Sequence, residues 1–459
     1  STSTLGPAGE SINLSDRPNV GAAGVPPSRI RTEQSMGLPV PVSMTKGATE
    51  RNAAQIGFES EWMKNADLGA PLRDRAEENN LQILGNFDAL IDMTDAQTID
   101  LLGTGHVVIK AIKAGYKEAK NQTRVAYTKA RKSPEAQEVV DVTKSVIIGT
   151  DDDAIEGTFL SYIESKIEGV PSAAVTDKAK KLAVKMGIAT ENEDGSLTGN
   201  SVTVGQLEDY RKELSGTANR MEPAQIRDET ILKKLIDAHT EGVGGEPYRI
   251  ARKMRTRQST KYENRAIVAR LITNVRGMDD PKVSADAVFN KTVLNSSKEE
   301  LVFLRRVLKT TGDDGIQAWK ELQGATMRHI QYESTKGSGS DSKGNDLVST
   351  AKLHDVVRKL DKAGHLDLML GKKNAATLRT LNDVVKYVTT APPGTLINRS
   401  GTAGVLLAAM SEMGLAGVTT GIPLPIISGL KVLRDSLKSK KIKGKISEAL
   451  ADLEPKGNK

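Results

Sequence analysis

Apolar residues recur along most of this chain at intervals of three and four, the spacing of one face of an α-helix. Between 51 and 335 the pattern is helical almost throughout. Pro71 suits a first helical turn, where its missing N–H is no loss, and Leu81, Leu84, Phe87, Leu90 and Ile91 follow at helical spacing. Further helices are predicted over 106–132, 154–167, 172–186, 205–215, 222–240, 247–276, 284–294, 297–310 and 313–332, and again over 347–363 and 372–390. Ser297 with Glu300 is a capping-box pair ahead of an apolar run, and Gly103, Gly157, Gly195, Gly277 and Gly312 punctuate the elements. Only 196–204 reads as β, a small hairpin. No repeat of fixed period stands out.

The flanks break this pattern. Residues 1–50 hold six of the 17 prolines (Pro7, Pro18, Pro26, Pro27, Pro39 and Pro41) without apolar periodicity, which predicts an extended or disordered arm. Residues 335–346 (TKGSGSDSKGND) read as a Gly/Ser linker or mobile loop. Between 400 and 430 the only charge is Glu412, and Pro423 and Pro425 lie near the end of the run. Leu406, Leu407, Met410, Leu415, Ile422, Ile426 and Ile427 are its candidate membrane or assembly residues, and small residues among them permit close helix approach. Lys431, Arg434, Lys438, Lys440, Lys441, Lys443 and Lys445 follow, against Asp435 alone. Such an end fits insertion into a membrane or packing within a larger assembly. The expected fold is all-α and elongated. It comprises an arm (1–50), an N-terminal helical region (51–245), a helical module (246–334), the linker (335–346), a helical region (347–399) and the apolar, basic-flanked end (400–459).

Composition narrows the chemistry. The 459 residues include no cysteine and only 3% aromatics. That removes disulfides, cysteine-zinc sites and thiol catalysis, and it leaves a core of Leu, Ile, Val, Ala and Met. A charge of +7 from 65 basic and 58 acidic residues is mildly basic, so any polyanion role must come from local patches. The N-terminus shows neither a basic n-region nor an apolar h-region, so no secretory signal is expected. His106, His239, His329, His354 and His365 are scattered without an H-E-x-x-H pattern. No phosphate-cradling glycine motif follows a strand. Asp151, Asp152 and Asp153 precede a helical run, where they favour the helix dipole. Residues 190–201 mimic a calcium loop only faintly: Thr190 and Ser201 stand where strong oxygen ligands are needed. No catalytic residue, metal ligand or cofactor site is predicted, and the chain is expected not to be an enzyme.

Two basic segments stand out instead. At about 100° per residue, Lys110, Lys113, Lys117, Lys120, Arg124 and Arg131 share an arc of roughly 80°, while Val108, Ile112, Gly115, Ala119, Ala126 and Ala130 share another. Glu118 is the only acid between 106 and 132. A solvated face usually mixes signs for i,i+4 pairing; a stripe of one sign about 30 Å long suits contact with nucleic acid or acidic lipid, with a plain solvated face as the alternative. Residues 249–276 hold nine basic groups against Glu263, among them Arg252, Lys253, Arg255 and Arg257. Their expected partner is DNA backbone or an acidic neighbouring subunit, with a plain solvated helix face as the alternative. Two nearby tyrosines, Tyr248 and Tyr262, are too few for a base-stacking platform.

One stretch resembles a known family. Val288, Phe289, Leu294, the start Glu299-Glu300-Leu301, Leu304, Val307, Leu308, the pair Ala318-Trp319 and the turn Pro392-Pro393-Gly394…Asn398…Ser400-Gly401-Thr402-Ala403 are similar to the C-terminal region of internal virion (DNA-ejection) proteins of short-tailed bacteriophages. The resemblance spans about 246–404. It implies a non-enzymatic helical protein, held inside the virion and released into the host envelope, where it oligomerises into a conduit for the genome. The implied partners are copies of itself, other ejection proteins, double-stranded DNA bound non-specifically and the host inner membrane. The alternatives are a cell-wall-degrading virion enzyme of lytic transglycosylase type, and a scaffold or structural protein retained in the particle.

Overall fold

The computed structural model describes residues 25–65, 68–150, 154–165, 173–214, 223–275, 281–393 and 395. It is all-α in character: helices carry the fold, and the strands among the described residues are two or three residues long and pair two by two. The chain forms two compact units. One is built from the described residues of 1–111 and 283–459, the other from those of 112–282, so the second interrupts the sequence of the first. The stretch 246–334 therefore contributes to both.

In the first unit, the helices Lys298–Lys309, Asp313–Thr335, Thr350–Lys362 and His365–Thr389 pack in succession, and Ala70–Asp92 lies against the second and fourth of them. Local chemistry sets their ends. Ser297 caps Lys298–Lys309 by accepting from the Glu300 N–H, with Glu299 and Glu300 in the first turn and Arg306 and Lys309 in the last, as the helix dipole favours. Leu301, Leu304, Val307 and Leu308 form its buried stripe. Phe289 and Trp319 are buried in the same unit. His365–Thr389 starts earlier than its apolar pattern indicates and is broken at Gly371, whose φ of 77° is left-handed.

The N-terminal arm is folded where it is described. Helices Pro27–Met36 and Lys46–Glu50 flank a segment in which Leu38 and Val42 are buried. Pro39 and Pro41 donate no backbone hydrogen bond; the Val42 N–H bonds the Ser35 carbonyl at 3.2 Å, and side chains of Ala70–Asp92 serve Val40 and Ser43. Asn86 accepts from the Val40 N–H (3.0 Å) and donates to its carbonyl (2.6 Å), and Gln82 accepts from the Ser43 N–H (2.9 Å). The stretch read as a linker is also ordered. Asp341 Oδ1 accepts from the N–H groups of Lys343 (3.0 Å) and Asn345 (2.8 Å), and Lys343 pairs with Glu77 at 3.3 Å. It is a closed loop fastened to Ala70–Asp92.

The second unit packs Phe159–Glu164, Ala173–Lys185, Val204–Leu214 and Pro223–Thr240 around Phe159, Ile188, Leu207, Tyr210, Leu232 and Leu235. The predicted helix 154–167 is shorter: Ile155–Gly157 pairs with Val146–Ile148, and Thr158 and Ser161 then start the helix with a reciprocal capping box. The hairpin is Ala189–Glu191 against Leu197–Gly199, turning through Asp194 and Gly195 (φ 81°), while Val202–Thr203 pairs with Val139–Val140. The predicted helix 247–276 is divided into Glu246–Gln258, a π-helical turn Ser259–Glu263 and Ala266–Ile272. Likewise 284–294 becomes a 3₁₀ turn, Ala285–Ala287, and a π turn, Asn290–Leu294.

Two measurements check this packing. A Cβ on Gly105 would sit 1.8 Å from the Ala285 carbonyl oxygen, so Gly105→Ala should destabilise the first unit by about 1–3 kcal/mol, read as a lowered denaturation midpoint. His239 is buried edge-on against Phe159, and its Nε2 has no partner. Burial lowers its pKa against the opposing pull of Asp141. The folded state thus keeps the ring neutral at pH values where the unfolded chain, with a histidine pKa of about 6.5, takes up a proton. Stability should be full above that value and fall with pH until the lowered folded value is reached. His239→Phe should flatten this part of the stability–pH curve.

Candidate polyanion-binding face

The basic stripe lies on the helix Leu101–Lys132. It begins five residues before the predicted start, because Asp100 Oδ1 accepts from the Gly103 N–H at 2.6 Å. Its last turn carries Lys129, Arg131 and Lys132, the sign favoured at that end. The packing arc falls where the sequence places it: Val108, Ile112 and Ala130 are buried, and Gly115, Ala119 and Ala126 are half-buried. Thr123 joins them with its hydroxyl bonded to the Ala119 carbonyl at 2.9 Å. Ala119, Thr123, Ala126 and Ala130 on this arc are all small, which lets the helix lie close while its flank remains in water.

Lys110, Lys117, Lys120, Arg124 and Arg131 are exposed, and Lys113 is half-buried. Lys110 belongs to the first unit; the other five belong to the second and span about 27 Å of helix at 1.5 Å per residue. Lys113 donates to Asn274 Oδ1 (2.7 Å), and Arg124 donates to Asn121 Oδ1 (2.9 Å). Glu118 accepts from Gln122 at 2.9 Å. Among the described residues none of the six stripe residues forms an ion pair. Both amide partners leave the positive charges uncompensated.

The second basic segment divides. Arg252 is turned inward onto Glu208 (2.6 Å) and Asp237 (3.5 Å), and Arg211 meets Asp237 at 2.7 Å. Burial pushes the Glu208 carboxyl up in spite of the two arginines, so desolvation outweighs pairing and the cluster fixes geometry more than it adds stability. Arg255 is bonded to Glu263 at 2.8 Å and 3.0 Å. Gln258 and the Tyr116 hydroxyl also donate to that carboxylate. Burial works upward on Glu263, but the Arg255 and Gln258 hydrogen bonds outweigh it and hold it below the usual range. Tyr116 and Tyr262 are in ring contact at 5.6 Å, which seats the basic helix beside the π turn. Lys253 and Arg257 remain exposed. Of these four basic groups, two brace the fold and two face solvent. Glu208 and Asp237 lie 44 and 15 residues from Arg252 in sequence, beyond any local pattern.

Leu406, Leu407, Met410, Leu415, Ile422, Ile426 and Ile427, with the basic residues after them, lie outside the described residues. So do Asp151, Asp152 and Asp153. No described helix is long and apolar enough to cross a membrane. No group of three or more His, Cys, Asp or Glu side chains among the described residues is placed to hold a metal ion. What the second unit presents is a row of ammonium and guanidinium donors without acidic partners among the described residues.

Compared with protein-family models, curated proteins and solved structures, the chain matches none of them.

The two classes of basic group should respond differently to substitution. Arg252→Ala strands Glu208 and should destabilise the second unit by about 3–5 kcal/mol, read by denaturant unfolding. Lys117→Gln, on the exposed stripe, should change stability by less than about 0.5 kcal/mol.

Proposed function

We propose that this chain is a non-enzymatic internal virion protein of a short-tailed phage, released into the host envelope, where copies of it and of other ejection proteins form a conduit for the genome. The observation that carries this reading is the uncompensated row from Lys113 to Arg131. Lysines and arginines along one helix flank neutralise phosphates without reading bases, so they bind any sequence, weaken with salt and let the duplex slide. That is the behaviour a passage for DNA requires. The sequence resemblance over 246–404 supplies the phage setting, and the scarcity of groups suited to a saccharide cleft favours a conduit over a wall-degrading enzyme.

Binding of the full chain to a short random-sequence DNA duplex, followed by anisotropy across a salt series, tests the face. Replacing Lys113, Lys117, Lys120 and Arg124 together by Gln should make the slope of log K against log salt shallower by about 0.9 for each phosphate that is no longer neutralised. An unchanged slope removes the face from the mechanism. Comparison of particle protein content before and after genome release tests delivery: retention of the chain overturns it.

A further inference from the structure

The helix Ala53–Met63 of the first unit turns two aromatic side chains to solvent. Phe58 is 57% and Trp62 39% exposed, one turn apart, with ring centroids 5.8 Å from each other. Leu68, 63% exposed, follows on a turn at the same helix end: its N–H bonds Asn65 Oδ1 at 2.8 Å, and the Gly69 N–H bonds the Asn65 carbonyl at 3.1 Å. The charged neighbours Glu61 and Lys64 are paired with each other at 2.7 Å. Phe87, Phe159, Phe289 and Trp319, by contrast, are buried. Adjoining large apolar side chains left in water mark a contact surface.

The chain itself supplies an occupant. Arg51, two residues before this helix, bonds the carbonyls of Tyr387 (3.4 Å) and Thr390. Val388, Thr389 and Thr390 line one recess together with Ser60 and Met63 of the helix. The last described helix therefore ends beside Ala53–Met63, and residues 396–459 continue from there. Leu406 comes eleven residues after Thr395, in a run from 400 to 430 whose only charge is Glu412. Eleven residues reach up to about 36–40 Å, whereas Phe58 stands only about 8 Å of helical rise from the start of its helix. On so short a connection the run meets the face at an effective concentration in the millimolar range, which a second copy in dilute solution does not match. We propose that Phe58, Trp62 and Leu68 form the docking site for this chain's own apolar run, through Leu406, Leu407, Met410 and Leu415, which lie outside the described residues. Docked, each apolar surface removes the other from water. The proposal depends neither on the DNA-binding face, which lies in the other unit, nor on the phage setting.

Trp62 and Trp319 are the only tryptophans, and Trp319 is 4% exposed. Acrylamide quenching of the full chain, less that of its Trp62→Phe variant, therefore reports Trp62. Trp62 is expected to be shielded in the full chain; quenching like that of a free indole overturns the proposal whatever further variants do. Leu406→Asp, Leu407→Asp and Met410→Asp together, in the full chain, should weaken docking at least about tenfold and open Trp62 to the quencher. Equal quenching with and without these changes overturns the proposal. Because the chain has no cysteine, an Ala54→Cys/Ser411→Cys pair can be joined by a short bis-maleimide. The expected product is a link within one chain, at a yield independent of protein concentration. It should exceed that of a Lys362→Cys/Ser411→Cys control, since Lys362 adjoins the opposite end of His365–Thr389. Links between chains that increase with concentration would assign the face to a second copy. Shielding of Trp62 only when phosphatidylglycerol vesicles are added would assign it to a bilayer. Either result overturns the proposal.

Discussion

Glu208, with a side chain 6% exposed beneath Arg252, shows the constraint on which much of this structure depends. A carboxylate taken out of water needs a donor, and in the second unit that donor comes from the basic segment that the sequence sets aside for an outside partner. Arg252 and Arg211 are held on Glu208 and Asp237, and Arg255 on Glu263. The π turn at Ser259–Glu263 brings Glu263 within reach of Arg255, Gln258 and Tyr116 at once. The same requirement works in the first unit. There Glu321 accepts from the N–H groups of Gln97 and Thr98, and Asn86 completes the backbone of Val40.

Along Leu101–Lys132 there are cations without acidic partners, most of them exposed, a disposition that suits a long polyanion. This is charge left over once the fold has paired Arg252, Arg211 and Arg255 with its own acids.

The legible parts of the fold were the long periodic segments. The helix stripes at Leu301–Leu308 and Leu353–Leu360, the Ser297 cap and the packing arc of the basic helix all express neighbours three and four residues apart. The misreadings share one origin. Residues 27–50 and 335–346 have the composition of loops, yet Asn86, Gln82 and Glu77 on one distant helix order them. The hairpin shifted because Val202–Thr203 pairs with a strand about 60 residues earlier. Of the candidate site, the stripe from Lys113 to Arg131 was visible as a one-signed arc; the inward turn of Arg252 was not, because its acids are remote in sequence.

By itself the sequence determined an all-α chain without thiol chemistry, the spans of its main helices and a helix with one basic flank, since each depends on residue type and local periodicity. Only the tertiary structure decided that the chain makes two units, the second interrupting the sequence of the first, and which arginines brace the fold. Those outcomes depend on which buried polar groups find partners across tens or hundreds of residues, and local spacing carries no record of that.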